Sequence, residues 1–344
     1  MPGLPATAGW LVLLAGVSLA GTLAARRYAI GRELLDHPGE RRSHVVATPR
    51  GGGIGIVLAM LVAVGMLAWI DPAQSVAMAL AGAGLLLVAG IGWLDDHRPL
   101  APWPRLAVHT VAAGLLAVVA WRSGGLAAAL PAFVLAMVLV NIWNFMDGID
   151  GIASLQGLVV AGGLALLAGD PASRWIALAV AAACLGFLPL NVLRARIFLG
   201  DVGSGALGYA LALAMVLVAT GEGRAPSPAT WVLVLLPPSA FLLDASLTLG
   251  TRILRGERWW TPHVGHLYQR LARAIGAHLP VTLAYAAWAV AAIALAHGTR
   301  GRPEAFIMCV GIAWYLGGGI LWLWLWLGSR RRGRNSGLPG KQSG

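Results

Sequence analysis

The sequence predicts an all-α, polytopic integral membrane protein of about eleven transmembrane helices, with its N-terminus outside and its C-terminus in the cytoplasm. Three observations lead there. Of 344 residues, 58% are apolar and 11% are charged, less than half the charged share of a soluble domain, which is about 25%. The apolar residues are gathered into runs long enough to cross a bilayer as helices. The basic residues fall on alternate connections between those runs, as the positive-inside bias requires.

The runs cover 8–25, 52–70, 76–94, 106–121, 125–141, 152–169, 174–190, 205–220, 229–249, 281–297 and 305–328. The first has no Arg or Lys before it and no persuasive cleavage site, so it reads as a retained helix rather than a signal peptide. Glycines recur through most of the others, 46 in the chain, which implies close helix–helix contact. Connections 26–51, 95–105, 142–151, 191–204 and 250–280, with the tail 329–344, hold 20 of the 25 Arg and Lys residues. The opposite side holds Arg122, Arg174, Arg224, Arg300 and Arg302. The first set is therefore placed in the cytoplasm. Residues 1–328 read as a single transmembrane catalytic domain, and 329–344, with Arg330, Arg331, Arg332 and Arg334, as a basic cytoplasmic tail.

Net charge is +11. No basic, aromatic-interleaved soluble domain carries it, so nucleic acid is excluded as a partner; membrane orientation and attraction to anionic lipids and substrates account for it. Cys184 and Cys309 lie in apolar runs and make neither a disulfide framework nor a metal-ligand spacing. His109 and His297 are isolated and read as structural.

Carboxylates carry the functional signal. Asp36, Asp95, Asp96, Asp147, Asp150, Asp201 and Asp244 all stand at ends of apolar helices. Ionised groups at membrane depth are costly and usually functional. Several of them converging on one face need a cation, and short Asp-Asp and Asp-Gly motifs point to Mg²⁺ with a phosphate partner. In the first cytoplasmic loop, Arg50-Gly51-Gly52-Gly53 opens a helix, offering free backbone N–H groups and a guanidinium fork to a phosphate, or simply a flexible turn. Asp95-Asp96 follow a wholly apolar span; about 100° apart on a helix, one could face a metal while the other orients or deprotonates an acceptor.

The stretch Asn141-Ile142-Trp143-Asn144-Phe145-Met146-Asp147-Gly148-Ile149-Asp150-Gly151 repeats a polar group every three positions, so successive groups are neighbours on a helix surface able to hold hydrated Mg²⁺ or a nucleoside. Asn191 and Phe198-Leu199-Gly200-Asp201-Val202-Gly203-Ser204 follow. There Asp201 is a helix cap or a metal ligand, and Phe198 an interfacial anchor or a stacking platform. His263 and His266 in the longest loop suit diphosphate contacts or proton handling.

In this order, from Asp36 to about Arg270, these stretches resemble the polyprenyl-phosphate N-acetylhexosamine-1-phosphate transferases (glycosyltransferase family 4), and within them the bacterial O-antigen initiating enzymes. The superfamily also holds phospho-N-acetylmuramoyl-pentapeptide transferase. The resemblance implies transfer of N-acetylhexosamine-1-phosphate from a UDP-N-acetylhexosamine to undecaprenyl or another polyprenyl phosphate, releasing UMP, at the cytoplasmic face of a bacterial inner membrane. It implies Mg²⁺, with Mn²⁺ able to substitute, and is compatible with a homodimer. Asp201 would be the principal metal ligand, with Asp95 and Asp96 beside the metal and handling the lipid phosphate. Asp147, Asp150 and Asn191 would bind the nucleotide or shape its pocket, and Phe198 would stack on uracil. His266 with His263 would contact the diphosphate or assist catalysis, and Asn144 and Arg50 would border the site. The family's His-Arg-x-His loop is here His263-Val264-Gly265-His266, so Arg258 or Arg270 substitutes or sugar selectivity differs. The alternatives are peptidoglycan's pentapeptide transferase and, from another class, an ion-coupled transporter. The transporter would place acids near the bilayer midplane in paired repeats, and no repeat is evident here.

Overall fold

The computed structural model describes residues 4–36, 46–221, 225–257 and 265–335. Among these residues twelve α-helices follow one another: α1 (Leu4–Gly31), α2 (Ile54–Ile70), α3 (Ser75–His97), α4 (Pro102–Phe145), α5 (Ile152–Leu167), α6 (Pro171–Phe187), α7 (Gly200–Thr220), α8 (Pro228–Leu235), α9 (Ser239–Leu254), α10 (Leu267–Ile275), α11 (Leu279–Thr299) and α12 (Glu304–Asn335). Each of the eleven apolar runs lies on this helical framework. By length and composition, seven helices among the described residues can cross a membrane, or eight if the bent α8–α9 pair is one span. The protein is thus a multi-pass, all-α membrane protein. Helices α2 and α5 are apolar but only 17 and 16 residues long.

Local chemistry explains the element boundaries. Asp170 accepts the Ala172 and Ser173 amides at 3.0 Å each, capping α6 ahead of Pro171. Ser227 caps α8 ahead of Pro228 in the same way. Three expectations are modified. The runs 106–121 and 125–141 form one element, α4, broken without a loop at Gly125, whose φ of 61° and ψ of −152° are not helical and suit glycine alone. The run 229–249 is broken between α8 and α9 by a 91° bend, because Pro237 and Pro238 interrupt the hydrogen-bond ladder. The connection 250–280 contains a helix, α10. Its Leu267, Tyr268 and Ala272 are buried while Arg273 points outward, and it stops at Gly276 in the left-handed region, φ 74°. One two-residue antiparallel pair, β1 (Leu35–Asp36) with β2 (Thr48–Pro49), is added to the helices.

Helix α7 is the axis of the bundle. Nearly every residue along it is buried, against α3, α4, α5 and α6. Small residues allow this approach: a Cβ on Gly203 would lie 2.5 Å from the Gly53 Cα, and one on Gly92 only 2.3 Å from the Asp201 carbonyl oxygen. Helices α3 and α4 finish at the end of the bundle where α7 begins, which brings the acidic motifs together.

Candidate active site

The last turns of α3 and α4 and the first turn of α7 supply the site. Asp95 and Asp96 end α3, Asn144 ends α4, and Asp201 stands in the first turn of α7 rather than in the loop ahead of it. The Asn144 side-chain amide donates to Asp201 Oδ1 and, at 3.0 Å, to Ser204 Oγ. Arg105, near the start of α4, lies between two carboxylates. Its Nη1 is 2.8 Å from Asp95 Oδ2 and 3.6 Å from Asp201 Oδ2. Asp95 Oδ1 also accepts the Leu100 amide at 2.6 Å.

Asp96 divides the labour differently from its neighbour. Its two oxygens accept the backbone N–H groups of Asp201 and Val202, each at 3.1 Å, so a carboxylate on α3 caps the positive end of α7. Each carboxylate oxygen has two lone pairs, so these two bonds do not use up the acceptor capacity of Asp96. Arg50 donates to the Asp96 carbonyl and holds its Nε 4.0 Å from Asp96 Oδ1.

Two of the three amides in the glycine run after Arg50 are taken up by the chain itself. Gly52 N–H donates to the Phe198 carbonyl and Gly53 N–H to the Leu199 carbonyl, both at 2.9 Å, and Phe198 N–H donates to the Pro49 carbonyl at 2.8 Å. These glycines splice the first loop to the loop before α7. Their lack of a side chain serves close approach, and the half-buried Phe198 is fixed by its backbone.

The turn after α4 splits its two acids. No hydrogen bond or ion pair among the described residues holds the Asp147 side chain. Loss of hydration, then the charges of Asp201, Asp96 and Asp150, pushes its carboxyl up to about 8. Asp150 instead turns toward α11: its Oδ1 is 3.4 Å from His278 Nδ1, and its Oδ2 accepts the Ala195 amide at 3.4 Å. Asn191 is buried and fully engaged. Its Oδ1 accepts Gly151 N–H at 3.1 Å and Ser154 Oγ–H at 3.3 Å, and its Nδ2 donates to the Ile197 carbonyl at 3.0 Å. It therefore ties the turn after α4 to the segment before α7.

His266 is buried at the start of α10. Its ring stacks between Phe145 (6.2 Å between centroids, 26°) and Tyr268 (5.9 Å, 27°). Burial holds its basicity below the ordinary imidazole value, the charge of Asp244 opposes that shift, and Arg252 reinforces it. His263 and Arg258 lie outside the described residues. Asp36 sits on β1 opposite Thr48.

Asp244, one of the seven aspartates at helix ends, stands apart from the acids that could share a cation. It is 1% exposed, and five protein donors already occupy its carboxylate. Arg105 and His278 are not legible as site residues in the sequence, and Ser204 is legible only as part of the stretch 198–204. Arg105 had one signal, a lone basic residue ten positions after an Asp pair, but it was absorbed into the positive-inside count.

The donor set suits a hard divalent cation. Among the described residues no three His, Cys, Asp or Glu side chains form a closed metal cage. Mg²⁺ commonly takes only one or two carboxylates and completes its shell with water and substrate phosphates. Asp95 and Asp201 already converge on one guanidinium nitrogen, and the Asp201 side chain keeps 30% exposure.

Comparison with known proteins places this arrangement. A model of the family described as glycosyl transferase family 4 matches residues 78–219. The chain is 31% identical over 311 residues to the decaprenyl-phosphate N-acetylglucosaminephosphotransferase of Mycobacterium leprae (strain TN), covering 78% of this chain and 76% of that relative. The chain belongs to glycosyl transferase family 4. This family-4 transferase is also 28% identical over 268 residues to the probable undecaprenyl-phosphate N-acetylglucosaminyl 1-phosphate transferase of Bacillus subtilis (strain 168), covering 73% of each chain. It is 32% identical over 223 residues to a phospho-N-acetylmuramoyl-pentapeptide-transferase of Synechococcus sp. (strain JA-2-3B'a(2-13)), covering 57% of this chain and 64% of that one. The matched family segment holds Asp95, Asp96, Arg105, Asn144, Asp147, Asp150, Asn191, Phe198 and Asp201; Arg50 and His266 lie outside it.

Proposed function

We propose that this family-4 transferase moves N-acetylhexosamine-1-phosphate from a UDP-N-acetylhexosamine to a polyprenyl phosphate and releases UMP, beginning an envelope polysaccharide such as O-antigen at the cytoplasmic face of a bacterial inner membrane. One observation carries the reading: Asp95 and Asp201, 106 residues apart in sequence, share one cation, the Arg105 guanidinium, at a helix end where Asn144 and Asp147 also stand. Both substrates are phosphate anions, and a set of acids alone would repel them.

In the reaction a lipid-phosphate oxygen forms a bond to the phosphorus that bears the sugar, and the bond from that phosphorus to the UMP oxygen breaks. The products are a polyprenyl diphospho-sugar and UMP. Asp201 and Asp95 would hold Mg²⁺, with Asp96 beside them; when bound, Mg²⁺ supplies charge neutralisation for the two phosphates. Asn144 orients Asp201. Asp96 holds α3 against α7, so the two carboxylates keep their spacing. Asp147 would face the nucleotide, with Phe198 as a stacking surface, while Asp150, turned toward α11, and Asn191 keep that turn in place. Arg50 and His266 border the site and contact the anionic groups. A pentapeptide-transferase reading draws on the likeness to the Synechococcus relative, which spans less of both chains than the likeness to the N-acetylglucosamine enzymes. A transporter fits poorly, because the acids lie at helix ends.

The deciding experiment is exchange of labelled UMP into UDP-sugar, run with purified protein, polyprenyl phosphate, Mg²⁺ and a panel of UDP-N-acetylhexosamines. Activity with at least one donor, reduced by about 100-fold or more in Asp201→Asn and abolished by a chelator, is expected. Absence of exchange with every donor refutes the reading.

A further inference from the structure

We infer that Asp244 is a positioning residue for His266: it pins the first turn of α10 so that the imidazole is held against the end of α4. The inference rests on the function proposed above.

The carboxylate of Asp244 lies within α9, 1% exposed. Its Oδ1 accepts Leu267 N–H at 2.8 Å, Thr248 Oγ–H at 3.1 Å and Trp322 Nε1–H at 3.1 Å. Its Oδ2 accepts Tyr268 N–H at 3.0 Å and Tyr285 Oη–H at 2.8 Å. Five donors on about four lone-pair directions saturate the group. No direction is left for a metal ion or substrate, so Asp244 acts through the groups it holds.

Two of those groups are the first amides of α10, whose N-cap residue is His266. The His266 side chain does not cap the helix amides; Asp244 supplies those acceptors from another helix, at the end where a negative charge is favoured. The turn is tied at a second point, because Tyr268 Oη–H donates to the Phe145 carbonyl at 3.0 Å. Phe145 stacks on the imidazole, and it sits between Asn144, bonded to Asp201, and Asp147. The path from Asp244 to the acidic site thus runs through α10's first turn and the end of α4. Tyr285 from α11 and Trp322 from α12 fix the carboxylate from behind, and Trp326, one turn further along α12, stacks at 5.7 Å on Trp322 and lies 5.3 Å from the Arg270 guanidinium of α10. A neutral cap would be enough to start a nine-residue helix. A buried carboxylate, held by four helices, fixes its direction as well.

The test uses full-length protein in lipid nanodiscs with Asp244→Asn, His266→Gln, the double variant and Tyr285→Phe. In the UMP exchange assay, Asp244→Asn is expected to lower turnover by about 100-fold, the scale on which a displaced group costs rate, with little change in KM for the UDP-sugar. The double variant should be no slower than His266→Gln alone, because both changes remove the same contribution. Multiplying effects, or wild-type turnover in folded Asp244→Asn, would overturn the inference. If Asp244→Asn does not fold, the same cycle with Tyr285→Phe, which removes one donor and no charge, decides in the same way. A second readout does not depend on activity. Carbethoxylation of His266, followed by mass spectrometry, should speed up about tenfold in Asp244→Asn or Tyr285→Phe through local opening of the turn, while buried His109 stays protected. Equal protection of His266 in wild type and variants would overturn the inference even if the exchange reaction proved not to be this protein's chemistry. Absent exchange with a faster His266 reaction would instead remove only the proposed function.

Discussion

Arg105 and Asp147 hold the two unequal halves of the site's charge balance. Arg105 neutralises Asp95 and Asp201 together. Replacing it by Gln leaves two carboxylates facing each other, and the metal-free protein should lose about 1–3 kcal/mol of stability. Mg²⁺ should then raise the thermal midpoint of Arg105→Gln more than that of wild type; equal shifts would show that the cation and the guanidinium do not compete for the same oxygens. Asp147 has the opposite problem, a carboxylate among carboxylates. Its folded pKa of about 8 lies above the ordinary aspartate value of 3.8, so the folded state keeps a proton that the unfolded chain releases. Its contribution to stability is complete below about 3.8 and drains away as pH rises through about 8. Metal-free Asp147→Asn should therefore melt higher than wild type at pH 8, with the difference closing toward pH 4. A pH-independent difference would place the cause elsewhere than in this titration.

At the scale of elements, small residues decide how closely α7 can approach its neighbours. Gly203 faces the Gly53 backbone, whereas a Cβ on Gly162 of α5 meets nothing within 4 Å. Gly203→Ala should cost about 1–3 kcal/mol by forcing backbones apart and lower activity with it, since Asp201 lies two residues away. Gly162→Ala should be neutral or stabilising by up to about 1 kcal/mol through helix propensity. Denaturation midpoints in mild detergent would show the contrast, and comparable losses would mean that the α2–α7 contact is not the limiting approach. The helices themselves were legible because each apolar run is long and bounded by charge or by capping residues such as Asp170 and Ser227. The break at Gly125 and the bend at Pro237–Pro238 were less so. Gly and Pro are common in membrane helices, and which of them interrupts a helix depends on what its neighbours satisfy. Helix α10 was missed for a different reason: at nine residues it is too short to stand alone, and Asp244 and Tyr268 hold it in place.

For the whole molecule, the arrangement predicts one polar face that gathers the chemistry and an opposite face of short connections. Single cysteines introduced in a Cys309→Ser background test it. Cysteines at Ala73 and Gly301 should react with a membrane-impermeant maleimide from outside intact cells, and cysteines at Ala101 and Arg196 only after permeabilisation. Labelling of both sets from one side would remove the proposed topology and, with it, the inner-leaflet site.

The amino-acid sequence by itself determined that the chain is an all-α membrane protein and where its helices run, and it singled out Asp95, Asp201, Asn144 and Asp147 as the candidates for its chemistry. Those properties are carried by composition, by run length and by the cost of placing charge beside lipid, all of which can be read one residue at a time. Only the tertiary structure decided what each polar group is spent on. It gave Asp96 to the end of α7, Gly52 and Gly53 to the loop before it, Asn191 to the turn after α4 and Asp244 to α10, and it set Arg105 between two acids. Hydrogen bonds and ion pairs are made between groups far apart in the chain, and the same carboxylate is a cap, a ligand or an anchor according to which donors the packing of the helices brings within about 3 Å of it.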